Sequence, residues 1–163
     1  MRSSKSVAVA ALLLGGLTAC SPAVSLDAAP DAVNPDCAEV IVRLPDAIDE
    51  FEYRYTDAQA TGAWGDPTAI ILRCGVPVPG PTTQLCVELD GIDWIRDDSN
   101  APTYVFTTYG RDPAVEVIVD GDVASGTNAL IQLSNAVGNI KATGACTDPN
   151  EVLDLPEPGE QSD

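Results

Sequence analysis

Histidine is absent from this chain of 163 residues. Without it the Ser-His and Cys-His nucleophile pairs are unavailable, and with no CxxC spacing the common zinc ligand sets go as well. No GxSxG elbow is present, and the glycines at 75, 80 and beyond follow neither a phosphate-loop nor a dinucleotide pattern. Basic residues are scarce: eight Lys and Arg stand against 25 Asp and Glu, a net charge of −17. This balance excludes a basic stripe for nucleic acid and any electrostatic attraction to anionic lipid. It leaves cationic partners, or simple solubility and repulsion from an anionic envelope. Asp120-Gly121-Asp122 and Asp97-Asp98 lack the alternating ligands and closing Glu of a calcium loop, so no metal and no cofactor is expected.

Long hydrophobic runs are also missing. The one apolar stretch, residues 7–14, follows Arg2 and Lys5 and is too short to span a bilayer. With the small residues after it, it reads as a signal peptide over residues 1–19. It ends in Leu17-Thr18-Ala19-Cys20, the lipobox pattern: Leu three residues before the cut, small residues beside it, and a thiol to take a diacylglyceryl group. Two acyl chains hold far more firmly than one, at about 0.8 kcal/mol per buried methylene. The expected location is therefore extracytoplasmic, lipid-anchored on the outer face of the plasma membrane. Loss of Arg2 and Lys5 with the leader leaves six basic residues against all 25 carboxylates, a mature charge of −19.

Setting Cys20 aside leaves Cys37, Cys74, Cys86 and Cys146, an even number in an oxidising compartment, and hence two disulfides. Three pairings can be drawn. The sequence favours Cys74–Cys86, stapling neighbouring strands, with Cys37–Cys146 tying the first element to the last, a long closure that would stabilise by roughly 4 to 5 kcal/mol.

Residues 20–36 mix Ala, Pro, Asp and Ser without periodicity and read as a lipidated Cys20 followed by a flexible spacer, about 20 Å in r.m.s. span. Residues 147–163 are acidic and Pro-bearing, the composition of a disordered tail. One disulfide-stabilised domain over 37–146 lies between them.

Inside it Cys37, Val40, Ile41 and Leu44 fall at helical spacing behind Asp36 as cap, with Pro45 as the break. Phe51, Tyr53 and Tyr55 alternate with polar residues, a strand with one aromatic face. Residues 58–67 read as a loop and 69–74 as a central strand buried on both faces. The Pro-rich 75–83 cannot continue a ladder and should be an exposed loop closed at its base by Cys74 and Cys86. Strands over 85–89 and 92–96 meet at Asp90-Gly91, which tolerates a type I′ turn. Further strands fall at 103–108 and 114–119. Leu130, Leu133, Val137 and Ile140 mark a helix opened around 125–128. The fold class is α+β: a single small domain, mainly antiparallel sheet, with two helices on one face.

Several short strings, Trp64-Gly65-Asp66-Pro67, Leu72-Arg73-Cys74-Gly75-Val76, Gly91-Ile92-Asp93-Trp94 and Thr107-Thr108-Tyr109-Gly110-Arg111 with Pro113-Ala114-Val115-Glu116-Val117, occur in order. With Cys37, Cys86 and Cys146 they resemble the secreted proteins and lipoproteins of actinobacteria grouped as domain of unknown function 3515. The resemblance covers nearly the whole domain. It implies an envelope location in high-GC Gram-positive bacteria and supplies no catalytic residues.

The candidate binding surface is Trp64, Arg73, Trp94, Tyr109 and Arg111, because arginine is scarce and all five lie in those strings. Aromatic rings would stack on a sugar or peptide while guanidinium groups hold a carboxylate. The competing reading makes both tryptophans core residues and has the arginines pin loops through Asp66, Asp93 or Asp112. Arg73, entering a buried strand, must have a partner. The function expected is a non-catalytic envelope lipoprotein, a binding or accessory module for a cell-wall component or a neighbouring envelope protein. The alternative is a carboxylate-dependent hydrolase acting on envelope polymers, with two facing acids in a deep pocket.

Overall fold

The computed structural model describes residues 22–147. The leader, Cys20 and the tail beyond Thr147 lie outside the described residues. A short helix α1 (Pro35–Ile41) leads into strands β1 (Ala47–Ile48), β2 (Phe51–Arg54), β3 (Thr61–Trp64) and β4 (Ile70–Val76). Strands β5 (Leu85–Leu89), β6 (Ile92–Asn100), β7 (Thr103–Thr108) and β8 (Ala114–Asp120) follow, then helix α2 (Gly126–Val137). All strands join one eight-stranded sheet in the order β1-β2-β3-β4-β8-β7-β6-β5, every pairing antiparallel. The expected α+β architecture is therefore the one observed.

The order describes two meanders, β1 to β4 and β5 to β8, sewn together by β4 against β8. Their seam runs from Ile70 opposite Val119 to Val76 opposite Ala114. Because β4 sits mid-sheet and β5 at its edge, the connection over 77–84 must cross about four strand spacings, roughly 19 Å. Prolines at 77, 79 and 81 hold it extended, and at about 3.1 Å per residue such a chain reaches roughly 25 Å. The Pro-rich segment is thus a strap between halves.

Both helices lie on one face over a core of Trp64, Ile70, Leu72, Trp94, Val115, Val117 and Val119. Asn34 caps α1, its side chain accepting from the Asp36 amide, with Pro35 in the first turn. The cap is therefore Asn34 rather than Asp36, since Pro35 has no amide hydrogen to leave unpaired at the first helical position. Ser125 caps α2 by accepting from Asn128, and Leu130, Leu133 and Val137 face inward. That helix stops at Val137 before Gly138, so Ile140 is buried outside it. Acidic residues in the β1–β2 and β5–β6 turns fasten α2 to the hairpins at the two edges of the sheet: Asp49 accepts from Asn128 and Gln132, and Asp90 accepts from the Ser134 hydroxyl. Both Asp90 and Gly91 have positive φ, 52° and 77°, as the Asp-Gly turn requires.

Four expectations are corrected. Residues 61–64, read as loop, form β3, all four positions buried between β2 and β4. The sixth strand runs on to Asn100. The disulfides are Cys37–Cys74 and Cys86–Cys146 instead of the favoured pairs. Cys74 and Cys86 are near in sequence but sit on β4 and β5, separated by three strands, and nothing there closes the base of the Pro-rich segment. Finally, the spacer over 22–36 is laid on the domain. Val24 bridges Thr56, Leu26 donates to Asp57, the Asp31 amide donates to Gly75, and Ala29 is buried against Val76 and Ala114. Gly75 has φ +90° with the Asp31 backbone directly above its Cα, so only a residue without Cβ admits this segment.

Candidate functional site

The five residues proposed from sequence do not assemble. Trp64 and Trp94 are fully buried. The Trp64 indole donates to the Pro45 carbonyl at 3.0 Å, while the Trp94 indole nitrogen has no acceptor among the described residues. Arg73 faces its register partner Glu116 across β4 and β8, at 3.1 Å and half-buried on both sides. Tyr109 lies beside the Cys86–Cys146 bridge. Arg111 is buried and donates to the carbonyls of Ile140 and Gly91, pinning the chain after α2 to the β5–β6 turn. Burial lowers its pKa, and nearby Asp93 pushes the other way. Tryptophans as core and arginines as pins describe this arrangement, although the partners are Glu116 and backbone carbonyls rather than Asp66 or Asp112.

Tyr109 lines a cavity of about 350 Å³ with Cys86 and Cys146, and a more voluminous one lies away from all five residues. A cleft of about 770 Å³ opens beside β2, walled by Phe51, Tyr53 and Tyr55 from one side of that strand and closed by Pro22, Pro67 and Val123. Strand alternation explains the aromatic wall, since residues i and i+2 share a face. The rings climb out of the core: Tyr53 meets Trp64 edge-on at 5.6 Å and Tyr55 at 6.0 Å, with the two tyrosine planes 78° apart. Tyr55 is 82% exposed. Burial, and then the neighbouring Tyr55, raise the Tyr53 pKa, so its phenol stays neutral and able to donate.

Four carboxylates, Glu50, Glu52, Asp66 and Asp120, and one cation, Arg54, also line the cleft. Arg54 is already engaged, donating to Asp66 at 3.3 Å, to the Gly65 carbonyl and to the Pro22 carbonyl. Asp120 accepts from the Asp122 amide in its own turn. The side chains of Glu50 and Glu52 make no hydrogen bond or ion pair among the described residues. The sequence displayed the aromatic alternation at 51–55 plainly. It did not show that the β3–β4 turn, the end of β8 and the N-terminal segment converge there, because those approaches are non-local.

Among the described residues no cluster of three His, Cys, Asp or Glu side chains could hold a metal ion, and no helix is long and apolar enough to cross a membrane. With the fold and cleft in view, the family follows from the chain itself: a family model described as "Protein of unknown function (DUF3515)" matches residues 5–145. The chain belongs to the DUF3515 family. The matched span contains all eight strands, both helices and the whole of the cleft, so the cleft is built entirely from DUF3515 sequence. No curated protein and no solved structure matches the chain.

Proposed function

We propose that this protein is a non-catalytic binding module, held on the outer face of the plasma membrane through a diacylated Cys20, with the cleft beside β2 as its ligand site. The observation that carries this reading is the position of Pro22 in the cleft wall. Only Ser21 separates Pro22 from the lipobox cysteine, a reach of about 7 Å even when fully extended. Anchor and cleft therefore share one edge of the domain, and the ligand is one met at the membrane surface. Two disulfides accord with an oxidising compartment. Glu50, Glu52 and Asp66 stand in solvent, not in the apolar enclosure in which a carboxyl group serves as general acid, which favours binding over hydrolysis.

Feeding cells an alkyne fatty acid tests the tether. The wild-type protein should carry the label and lose its leader, whereas Cys20→Ser should be unlabelled and keep residues 1–19; an unlabelled wild type removes the tether. For the ligand, the protein expressed from Ser21 onward is titrated with solubilised envelope fractions and followed by amide NMR. Shifts centred on Glu52, Tyr53 and Tyr55 are expected. Shifts confined to other surfaces, or degradation of wall polymer by the purified protein, would overturn the reading.

A further inference from the structure

The cleft's chemistry specifies a ligand more narrowly than its place does. Its outer wall is a corner of two tyrosine rings, 6.0 Å between centroids and 78° between planes. Ring faces carry the negative end of the aromatic quadrupole, and rings set nearly at right angles present two such faces to one small volume. Tyr55 is 82% exposed, so most of its ring is open to a ligand. Four carboxylates line the same cleft, and the one guanidinium among them is spent on the Pro22 carbonyl, the Gly65 carbonyl and Asp66. Glu50 and Glu52 remain without a partner among the described residues. The field of the whole chain, with −17 formal charge, draws cations toward such a cleft and repels anions.

We infer that the cleft beside β2 binds an alkylammonium group, its methyl or methylene shell against Tyr53 and Tyr55 and its charge compensated by the field of the four carboxylates that line the cleft. A neutral sugar would use the tyrosines but leave the carboxylates uncompensated. An anionic ligand would meet them directly, with Arg54 already occupied. The inference rests on the cleft being the ligand site, as proposed above. Two sources carry this chemistry to the outer face of a membrane: the headgroup of an amine-bearing lipid and a free amine in solution.

The probe is choline chloride, with its neutral isostere 3,3-dimethylbutanol as control, titrated into the protein expressed from Ser21 onward and followed by the Tyr53 and Tyr55 resonances. Choline should bind in a saturable way, and the isostere at least about tenfold more weakly, the difference being the cation's interaction with rings and carboxylates. Tyr55→Ala and Glu52→Gln should each weaken choline binding several-fold. Both positions are exposed, so folding is unaffected, and an unchanged amide spectrum checks this. Equal binding of choline and isostere, or no saturable binding of choline, overturns the inference. If envelope fractions still shift the cleft amides in that event, the binding reading survives and only the ligand class fails. Where choline binds, displacement by phosphatidylcholine vesicles but not by phosphatidylglycerol vesicles assigns the group to a lipid headgroup, and no displacement by either assigns it to a soluble amine.

Discussion

Cutting the strap between the two meanders separates this fold from its alternatives. A protease site inserted after Gly80 falls in open space, where an added Cβ meets nothing. Because Cys37–Cys74 lies wholly before the cut and Cys86–Cys146 wholly after it, no covalent bond then joins the halves. Either of the other two pairings of these cysteines would bridge them. Each half keeps its own staple, with loops of 37 and 60 residues contributing about 3.8 and 4.3 kcal/mol by the chain-entropy relation. Cleavage turns an intramolecular seam into a bimolecular one. A short linker supplies an effective concentration of about 1 to 10 mM, so at about 10 μM protein the loss is roughly 3 to 4 kcal/mol. A domain of ordinary stability, about 5 to 15 kcal/mol, survives that. The clipped protein should therefore elute as one species under native conditions and resolve into two chains in denaturant without reductant. Chains that stay joined until reductant is added would refute the disulfide pairing. Chains that part under native conditions would refute the β4–β8 seam.

The two buried indoles should respond differently to the same substitution. Trp64→Phe loses a bond to Pro45 as well as ring volume and should destabilise by about 2 kcal/mol in urea titration. Trp94→Phe removes a buried donor with no partner, which offsets the lost volume, and should stay within about 1 kcal/mol of wild type; equal losses would contradict the hydrogen-bond assignment. Acid should loosen the N-terminal segment at a defined point. The Leu26 amide, then Ser25, holds the Asp57 pKa below 3.8, so this contact is fully present above that value and is lost as pH falls through the lowered one. The Leu26 amide resonance should follow that titration, and Asp57→Asn should abolish the response.

Local chemistry was legible in the sequence and long-range geometry was not. Asp90-Gly91 specifies its turn without help from the rest of the fold, and 103–108 matches β7 because six residues of Thr, Tyr, Val and Phe favour a pleat wherever it packs. Thr61-Gly62-Ala63-Trp64 shows no period because all four positions are buried, and Gly62 is there to clear Leu44 and Trp64. Cys74 and Cys86 invited a short loop because strand order is invisible in one sequence; placing β5 at the far edge sends each cysteine to a different partner. Residues 22–34 have a linker's composition because alanines, not large side chains, pack them: Ala29 and Ala32 fit where anything bigger would lift the segment off Gly75. The same burial that removed Trp64 and Trp94 from the surface left Tyr53 and Tyr55 to line the cleft.

Covering the β2 side of the sheet also determines how copies could meet. Strand β1 is only two residues long, and beyond it the outer backbone of 53–57 is occupied by Asp46 and Val24. That side offers no continuous row of donors and acceptors to another chain. Among the described residues the opposite side ends in β5, which pairs with β6 and with no other strand. A sheet with one usable edge can pair back to back through a two-fold axis, and the assembly then closes on itself. It cannot add strands indefinitely, so pairing through this edge ends at two copies.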